Sequence, residues 1–189
     1  RLGAIYTIGP YLLPKLIPIL RRTAPSMQLL IQENFTHVLG EELKNGQVDV
    51  ILLALPFVEP GIVTRAVYDE PFMVAVPKGH PWEGRKRVTS EELSNESLLM
   101  LGEGHCFREQ ALDLCASAKA HELEFRATSL TTLVQMVRGG AGVTLLPALA
   151  VPTEADRAGL SVRSFSNPPP ARTIALVWRK SSPLGAALR

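Results

Sequence analysis

Short apolar runs rich in branched residues alternate with helix-patterned stretches along almost the whole chain, and that alternation restricts the fold more than any other feature of the sequence. Leu2 to Thr7 reads as a strand, Gly9-Pro10 as a turn, and the apolar stretch through Leu20 and Arg21 as a helix. Met27 to Gln32 reads as a second strand, followed by a helix that Thr36 caps and Asn45-Gly46 ends, and then by a buried strand at Val48 to Leu55. A βαβαβ order implies a parallel sheet wrapped by helices, with right-handed crossovers. Pro14 and Pro18 fall inside the first helical stretch. Each removes a hydrogen bond and clashes with the preceding turn, so that helix is expected to be irregular or to begin late.

A strand at Phe72 to Val76 runs into Pro77-Lys78-Gly79-His80-Pro81, where His80 is expected to be a loop residue. A second alternating unit follows. It comprises a helix near Ser90 to Leu93, a strand at Ser97 to Leu101, a helix starting at the first cysteine and a strand around Phe125 to Ala127. Thr128 or Ser129 then caps a helix with Leu130, Leu133, Val134 and Val137 on one face, ended by Gly139-Gly140. Val143 to Leu146 is the next strand, Thr153 to Ala158 a short helix, Asn167-Pro168-Pro169-Pro170 a rigid loop and Arg172 to Arg179 the final strand. In open α/β sheets ligands bind beyond the carboxyl ends of the strands, near helix N-termini. The helices after Thr7, after Phe35, at the first cysteine and after Thr128 begin at such places.

At 189 residues, 46% hydrophobic and 20% charged, the chain can bury a core and is long enough for two small domains. The net charge of +2 is spread thinly apart from Arg21-Arg22 and Arg85-Lys86-Arg87, which argues against a clustered nucleic-acid footprint. No apolar run reaches the roughly 18 residues of a membrane span, and no signal-peptide pattern is present, so the cytoplasm is the expected compartment. The chain starts at Arg1 without a methionine and reads as a fragment of a longer protein.

Both cysteines lie in one segment, Gly104-His105-Cys106-Phe107-Arg108-Glu109-Gln110-Ala111-Leu112-Asp113-Leu114-Cys115. In a helix that spacing separates them by roughly 13 Å along the axis, on nearly opposite faces. A disulfide needs Cα atoms within about 7 Å, so a bond between them requires the helix to unwind. Cys106 follows two glycines at a helix start, beside His105 and Arg108, where thiolates are favoured. Phe107, Ala111, Leu114 and Cys115 follow helical spacing and form one apolar face, which makes Cys115 a buried thiol. Two unconnected core cysteines remain an alternative at this point, as does a thiol peroxidase that turns over repeatedly. A phosphatase loop is excluded because Leu112 stands where its arginine belongs. Zinc ligation by His105, Cys106, Cys115 and His121 lacks the short cysteine pair. No metal or other cofactor is expected.

With these residues in view, the chain resembles the regulatory domain of the LysR-type transcriptional regulators, and within them the bacterial peroxide-sensing branch. The resemblance runs through TIGPYLLPKLIP, DEPFMVAVPKGHPW and FRATSLTTLVQMVRGGAGVTLLPALAV, and its specific part is GHCFREQALDLC. It implies an α/β fold of two Rossmann-like, periplasmic-binding-protein-like subdomains joined by two crossover strands. Residues 1–70 and 172–189 would form subdomain I, and residues 71–171 subdomain II with the cysteines.

The resemblance also implies that hydrogen peroxide oxidises Cys106 to a sulfenic acid and that Cys115 resolves it as an intramolecular disulfide. Thr7, Thr36, His105 and Arg108 match family positions around the peroxide pocket, and Arg172 matches an arginine near the switching region. The threonine hydroxyls would hold peroxide, while His105 and Arg108 would favour the thiolate and the developing charge. Where the family usually has aspartate this chain has Glu109. The implied partners are a second copy in a homodimer or homotetramer, RNA polymerase, a cellular thiol reductant of glutaredoxin or thioredoxin type, and DNA. DNA is reached through a winged helix-turn-helix that does not precede Arg1, so this piece alone is not expected to bind it. Leu12, Leu13, Leu16 and Ile17 form a candidate pairing surface. The rival reading is a LysR-type or solute-binding domain that holds a small organic effector in its cleft without covalent change.

Overall fold

The computed structural model describes residues 1–118, 121–166 and 168–186, with backbone alone at 115–118 and 121–124. Asn167 of the expected proline loop and the side chains of Cys115 and His121 lie outside the described residues. The chain divides into two compact units, Arg1–Asp69 with Thr173–Arg189, and Glu70–Arg172.

In the first unit β1 (Leu2–Ile5) lies between β2 (Ile31–Asn34) and β3 (Val50–Ala54), parallel to both, with Leu2 opposite Ile31 on one side and Val50 on the other. The expected βαβαβ order is present, since α1 (Gly9–Thr23) and α2 (Thr36–Lys44) fill the two crossovers. β10 (Ala171–Arg179) runs antiparallel along β3, pairing Ile174 with Ala54. β1 is buried along its length and β3 from Ile51 onward, as apolar runs covered on two faces should be.

Helix α1 corrects the expectation of a late or broken start, because it runs unbroken from Gly9 with Pro14 and Pro18 inside it. The reason lies in the spacing. Pro10 occupies the first turn, where a missing N–H costs nothing, and Pro14 and Pro18 follow at intervals of four, so all three stand on one exposed face. The carbonyls they leave unbonded lie on the solvent side, while Tyr11 and Leu13 on the other side are buried. Leu12, Leu16 and Ile17 are half-buried. Strand β2 begins at Ile31 rather than Met27. Met27 and Leu30 are 48% and 63% exposed, so the apolar run that suggested a strand there is surface.

The second unit contains β6 (Ser97–Leu101) between β7 (His121–Ala127) and β8 (Val143–Pro147), parallel to both. Helices α3 (Cys106–Ala118) and α4 (Leu130–Arg138) cross between them, and α5 (Val151–Ala158) follows β8. Helix α4 is bounded as its sequence predicts. The Ser129 hydroxyl accepts the Thr132 N–H at 3.2 Å, and past Gly139 the N–H groups of Gly140 and Ala141 return to the carbonyls of Val137 and Met136.

Three corrections apply to the remaining strands and helices. β4 spans Ile62–Val76 instead of starting at Phe72, and two further strands, β5 (Arg87–Val88) and β9 (Ser161–Phe165), are present. Exposed Thr64, Arg65, Ala66 and Val67 hide the period of the first half of β4, and the Ser–Arg pattern of β9 lacks an apolar face to read. The helix near Ser90 is a single 3₁₀ stretch at Glu91–Asn95. β4 and β9 pair antiparallel through Val74 and Arg163, and β4 and β8 through Val74 and Leu145. Among the described residues no helix is long and apolar enough to cross a membrane.

Candidate functional site

Predicted site residues lie just beyond the carboxyl ends of the parallel strands in each unit, Thr7 and Thr36 in the first and His105, Cys106 and Arg108 in the second, whereas Cys115 and Arg172 do not. In the first, Ile5 of β1 stands opposite Asn34 of β2. Two residues past each lie Thr7 and Thr36, and the residues just before them touch, Tyr6 edge-on to Phe35 at 5.2 Å. Thr7 is 3% exposed in the turn leading to α1. Thr36 was expected to cap α2 but is its first residue, because Phe35 takes the extended position before the helix and donates its N–H to the Asn34 side chain at 3.0 Å. Freed from capping, the Thr36 hydroxyl oxygen is buried with no hydrogen-bond partner among the described residues. An unpartnered buried hydroxyl is costly and asks for a ligand or water.

In the second unit Leu101 of β6 stands opposite Ala127 of β7, and the Gly102 N–H donates to the Ala127 carbonyl at 2.8 Å. Gly104 then turns the chain at φ +88°, a conformation that a side chain would disfavour, and α3 starts at Cys106. Cys106 is a free, half-buried thiol on the first helical residue. The helix dipole places positive potential at that turn, where the Arg108 N–H donates to the His105 carbonyl at 2.9 Å. Arg108, 8% exposed, donates from its Nη1 to the Leu101 carbonyl at 3.2 Å, so a buried cation sits between the end of β6 and the first turn of α3.

His105 is 7% exposed, and burial holds its imidazole below the ordinary histidine range against the opposing effect of a hydrogen bond to the Thr128 backbone. It therefore stands in the site as a neutral ring that ties the start of α3 to the start of α4. The sign of its effect on stability follows. The unfolded chain takes a proton that the folded chain resists, so stability falls as pH drops through the ordinary histidine value of 6.5 toward the lower folded one. Thermal melts at pH 7.5 and pH 5.5 should show His105→Gln losing less stability on acidification than the parent; equal losses would place the acid sensitivity elsewhere.

Phe107 and Ala111 are buried on the inner face of α3, Leu114 is half-buried and Glu109 is exposed. Cys115 belongs to the third turn of α3. Arg172 lies at the far end of this unit's chain. Its side chain is fully buried, its Nε and Nη2 reach Glu70 Oε2 at 2.9 and 2.8 Å, and its Cζ sits 5.2 Å from the centre of the Phe107 ring. Glu70 was not singled out from the sequence. The signal was there: a carboxylate directly before the apolar run Pro71 to Val76 needs a partner wherever that strand is buried.

Residues 1–189 match the family model described as the LysR substrate binding domain. The chain is 46% identical over 184 residues to the DNA-binding transcriptional dual regulator OxyR of Escherichia coli K12, covering 97% of this chain and 60% of that protein. It spans about three fifths of the length of the curated relatives it matches. Among solved structures, the reduced form of the OxyR regulatory domain from Pseudomonas aeruginosa is similar at 48% identity and a TM-score of 0.89, covering 98% of this chain and 88% of that one. An oxidised form of OxyR is similar at 45% identity and a TM-score of 0.87, with the same coverages.

Proposed function

We propose, from the premise that the chain belongs to the LysR substrate-binding domain family, that it is the peroxide-sensing part of a transcriptional regulator, with Cys106 and Cys115 as its switch. One observation carries this reading. Cys106 is a free thiol on the first residue of α3, with Cys115 in the same helix, in a chain nearly half identical to activators named for hydrogen peroxide-inducible genes.

The chemistry balances with two thiols and one peroxide. The Cys106 sulfur attacks one peroxide oxygen, the O–O bond breaks, and the departing oxygen leaves as hydroxide and takes a proton to become water. Cys106 is then a sulfenic acid. The Cys115 sulfur attacks it, the S–O bond breaks as the S–S bond forms, and a second water leaves. A dithiol reductant returns the pair to its starting state. Positive potential at the start of α3 and the buried Arg108 favour charge developing on the reacting atoms. Neutral His105 contributes a hydrogen bond and a fixed turn. The unpartnered Thr36 oxygen supports reading Thr36, with Thr7, as a hydroxyl that can hydrogen-bond peroxide, as the family resemblance implies. Transcriptional output, DNA contact and assembly with further copies belong to the whole regulator.

The test is one equivalent of hydrogen peroxide added to the reduced chain, followed by thiol counting, intact mass and peptide mapping. The reading expects two thiols lost, one 106–115 crosslink and no further peroxide consumed until reductant is added. Persistence of both thiols would overturn it and turn attention to a non-covalent ligand; continued turnover with reductant at enzymatic rates would make the chain a peroxidase.

A further inference from the structure

We infer that Phe107 is a latch on the cysteine helix, clamped by Arg172 and set in place through Glu70, and that it governs how fast the Cys106–Cys115 disulfide closes. This rests on the thiol-switch reading above and concerns its second step, the attack of Cys115 on the oxidised Cys106.

Closure requires movement, since two residues nine apart in a helix are separated by roughly 13 Å and a disulfide tolerates about 7 Å between Cα atoms. If the Cys106 end moves, Phe107 moves with it, because adjacent Cα atoms are only about 3.8 Å apart. Phe107 is not free to follow. It is 3% exposed, the Arg172 guanidinium lies 5.2 Å over its ring, and Phe72 of β4 meets it edge-on at 5.3 Å and 88°.

The clamp is itself fastened. Arg172 has no exposed side-chain surface and is tied by Nε and Nη2 to Glu70 Oε2, while Glu70 Oε1 accepts the Leu149 backbone N–H at 2.9 Å. A guanidinium held this way cannot travel with the ring, so withdrawing Phe107 breaks the cation–π contact outright and leaves a buried face of Arg172 uncovered. Glu70 and Arg172 are also the first and last residues of the unit, so the latch sits where the chain enters and leaves it. The first peroxide step needs none of this motion.

Phe107 is thus a positioning residue for the closure step, and Glu70 acts through Arg172. Phe107→Leu keeps an apolar side chain in the site while losing the ring. Rapid mixing with hydrogen peroxide, quenching with an alkylating reagent and mass spectrometry separate a phase that depends on peroxide from one that does not. In Phe107→Leu the peroxide-independent phase should speed up about tenfold, the scale of one lost cation–π and edge contact together, and by more than any change in the first phase. Glu70→Gln, which keeps shape and loses charge, should speed it about threefold, and the double variant should be no faster than Phe107→Leu, because both act on one contact. In thiol–disulfide buffers Phe107→Leu should also have the more negative reduction potential, since it weakens only the reduced arrangement.

Closure at the parent rate in both single variants, or simple multiplication in the double variant, would overturn the latch while leaving the switch intact. A parent chain that forms no 106–115 disulfide would overturn the switch and the latch with it.

Discussion

Replacing Cys106 by serine should lower the rate at which the chain consumes hydrogen peroxide by about 100-fold or more, the range over which a positioned electrostatic site outperforms an unassisted group. The two thiols differ in what α3 gives them. Cys106 stands on the first residue, where the helix dipole is positive, next to a histidine whose ring is held by the Thr128 backbone. Cys115 stands in the third turn, where backbone N–H groups are spent on the helix itself. Cys115→Ser should therefore react with peroxide near the parent rate but stop at a sulfenic acid. That product is one oxygen heavier, can be captured by a dione reagent and is open to over-oxidation. Stopped-flow peroxide consumption and intact mass distinguish the cases. Equal, slow reaction of both variants would contradict the assigned roles.

Much of this arrangement was legible in the sequence, and what was not has specific physical causes. Strand β6 and helix α4 carry their signals locally: an apolar run from Leu98 to Leu101, a serine cap, an apolar stripe and two glycines at the end. The parallel order of β1, β2 and β3 follows from helices between strands. Helix α1 defeated a correct rule, because proline is costly inside a helix unless its lost bonds fall on the solvent face, and spacing by four does that. Thr36 was misplaced by one residue because Asn34 and Phe35 already complete the turn into α2. The exposed half of β4 and all of β9 lack the apolar period that sequence reading depends on.

The site divides along the same line. The cysteines, Arg108 and the glycine turn before them are neighbours in sequence, so their grouping could be read directly. The contact of Glu70 with Arg172 spans 102 positions and joins the two ends of the second unit, and Arg172 meets Phe107 from a distant part of the sequence. No local pattern encodes either. Histidine shows the remaining gap, since adjacency to a cysteine suggested a charge, whereas burial decides that the ring is neutral.

Gly142→Ala should destabilise the chain by about 3 kcal/mol, combining backbone strain and overpacking of about 1–3 kcal/mol each. Gly142 sits at φ +149°, which L side chains rarely adopt, and an added Cβ would collide with the backbone carbonyl oxygen of Ser97. That carbonyl cannot turn aside, because Ser97 opens β6 and the next residue, Leu98, pairs with Val143 at the start of β8. Relief would require parting β6 from β8, next to the strand that delivers Cys106. Gly9→Ala provides the control. There the added methyl meets only the Glu33 side chain, whose far end can swing away, and the backbone needs no unusual φ. Its cost should stay below about 1 kcal/mol, as for other changes that a flexible surface group absorbs. Urea denaturation of the two variants beside the parent tests the contrast: similar midpoints for both would mean that the junction of β6 and β8 yields, and that the start of the cysteine helix rests on a softer support than its buried strands suggest.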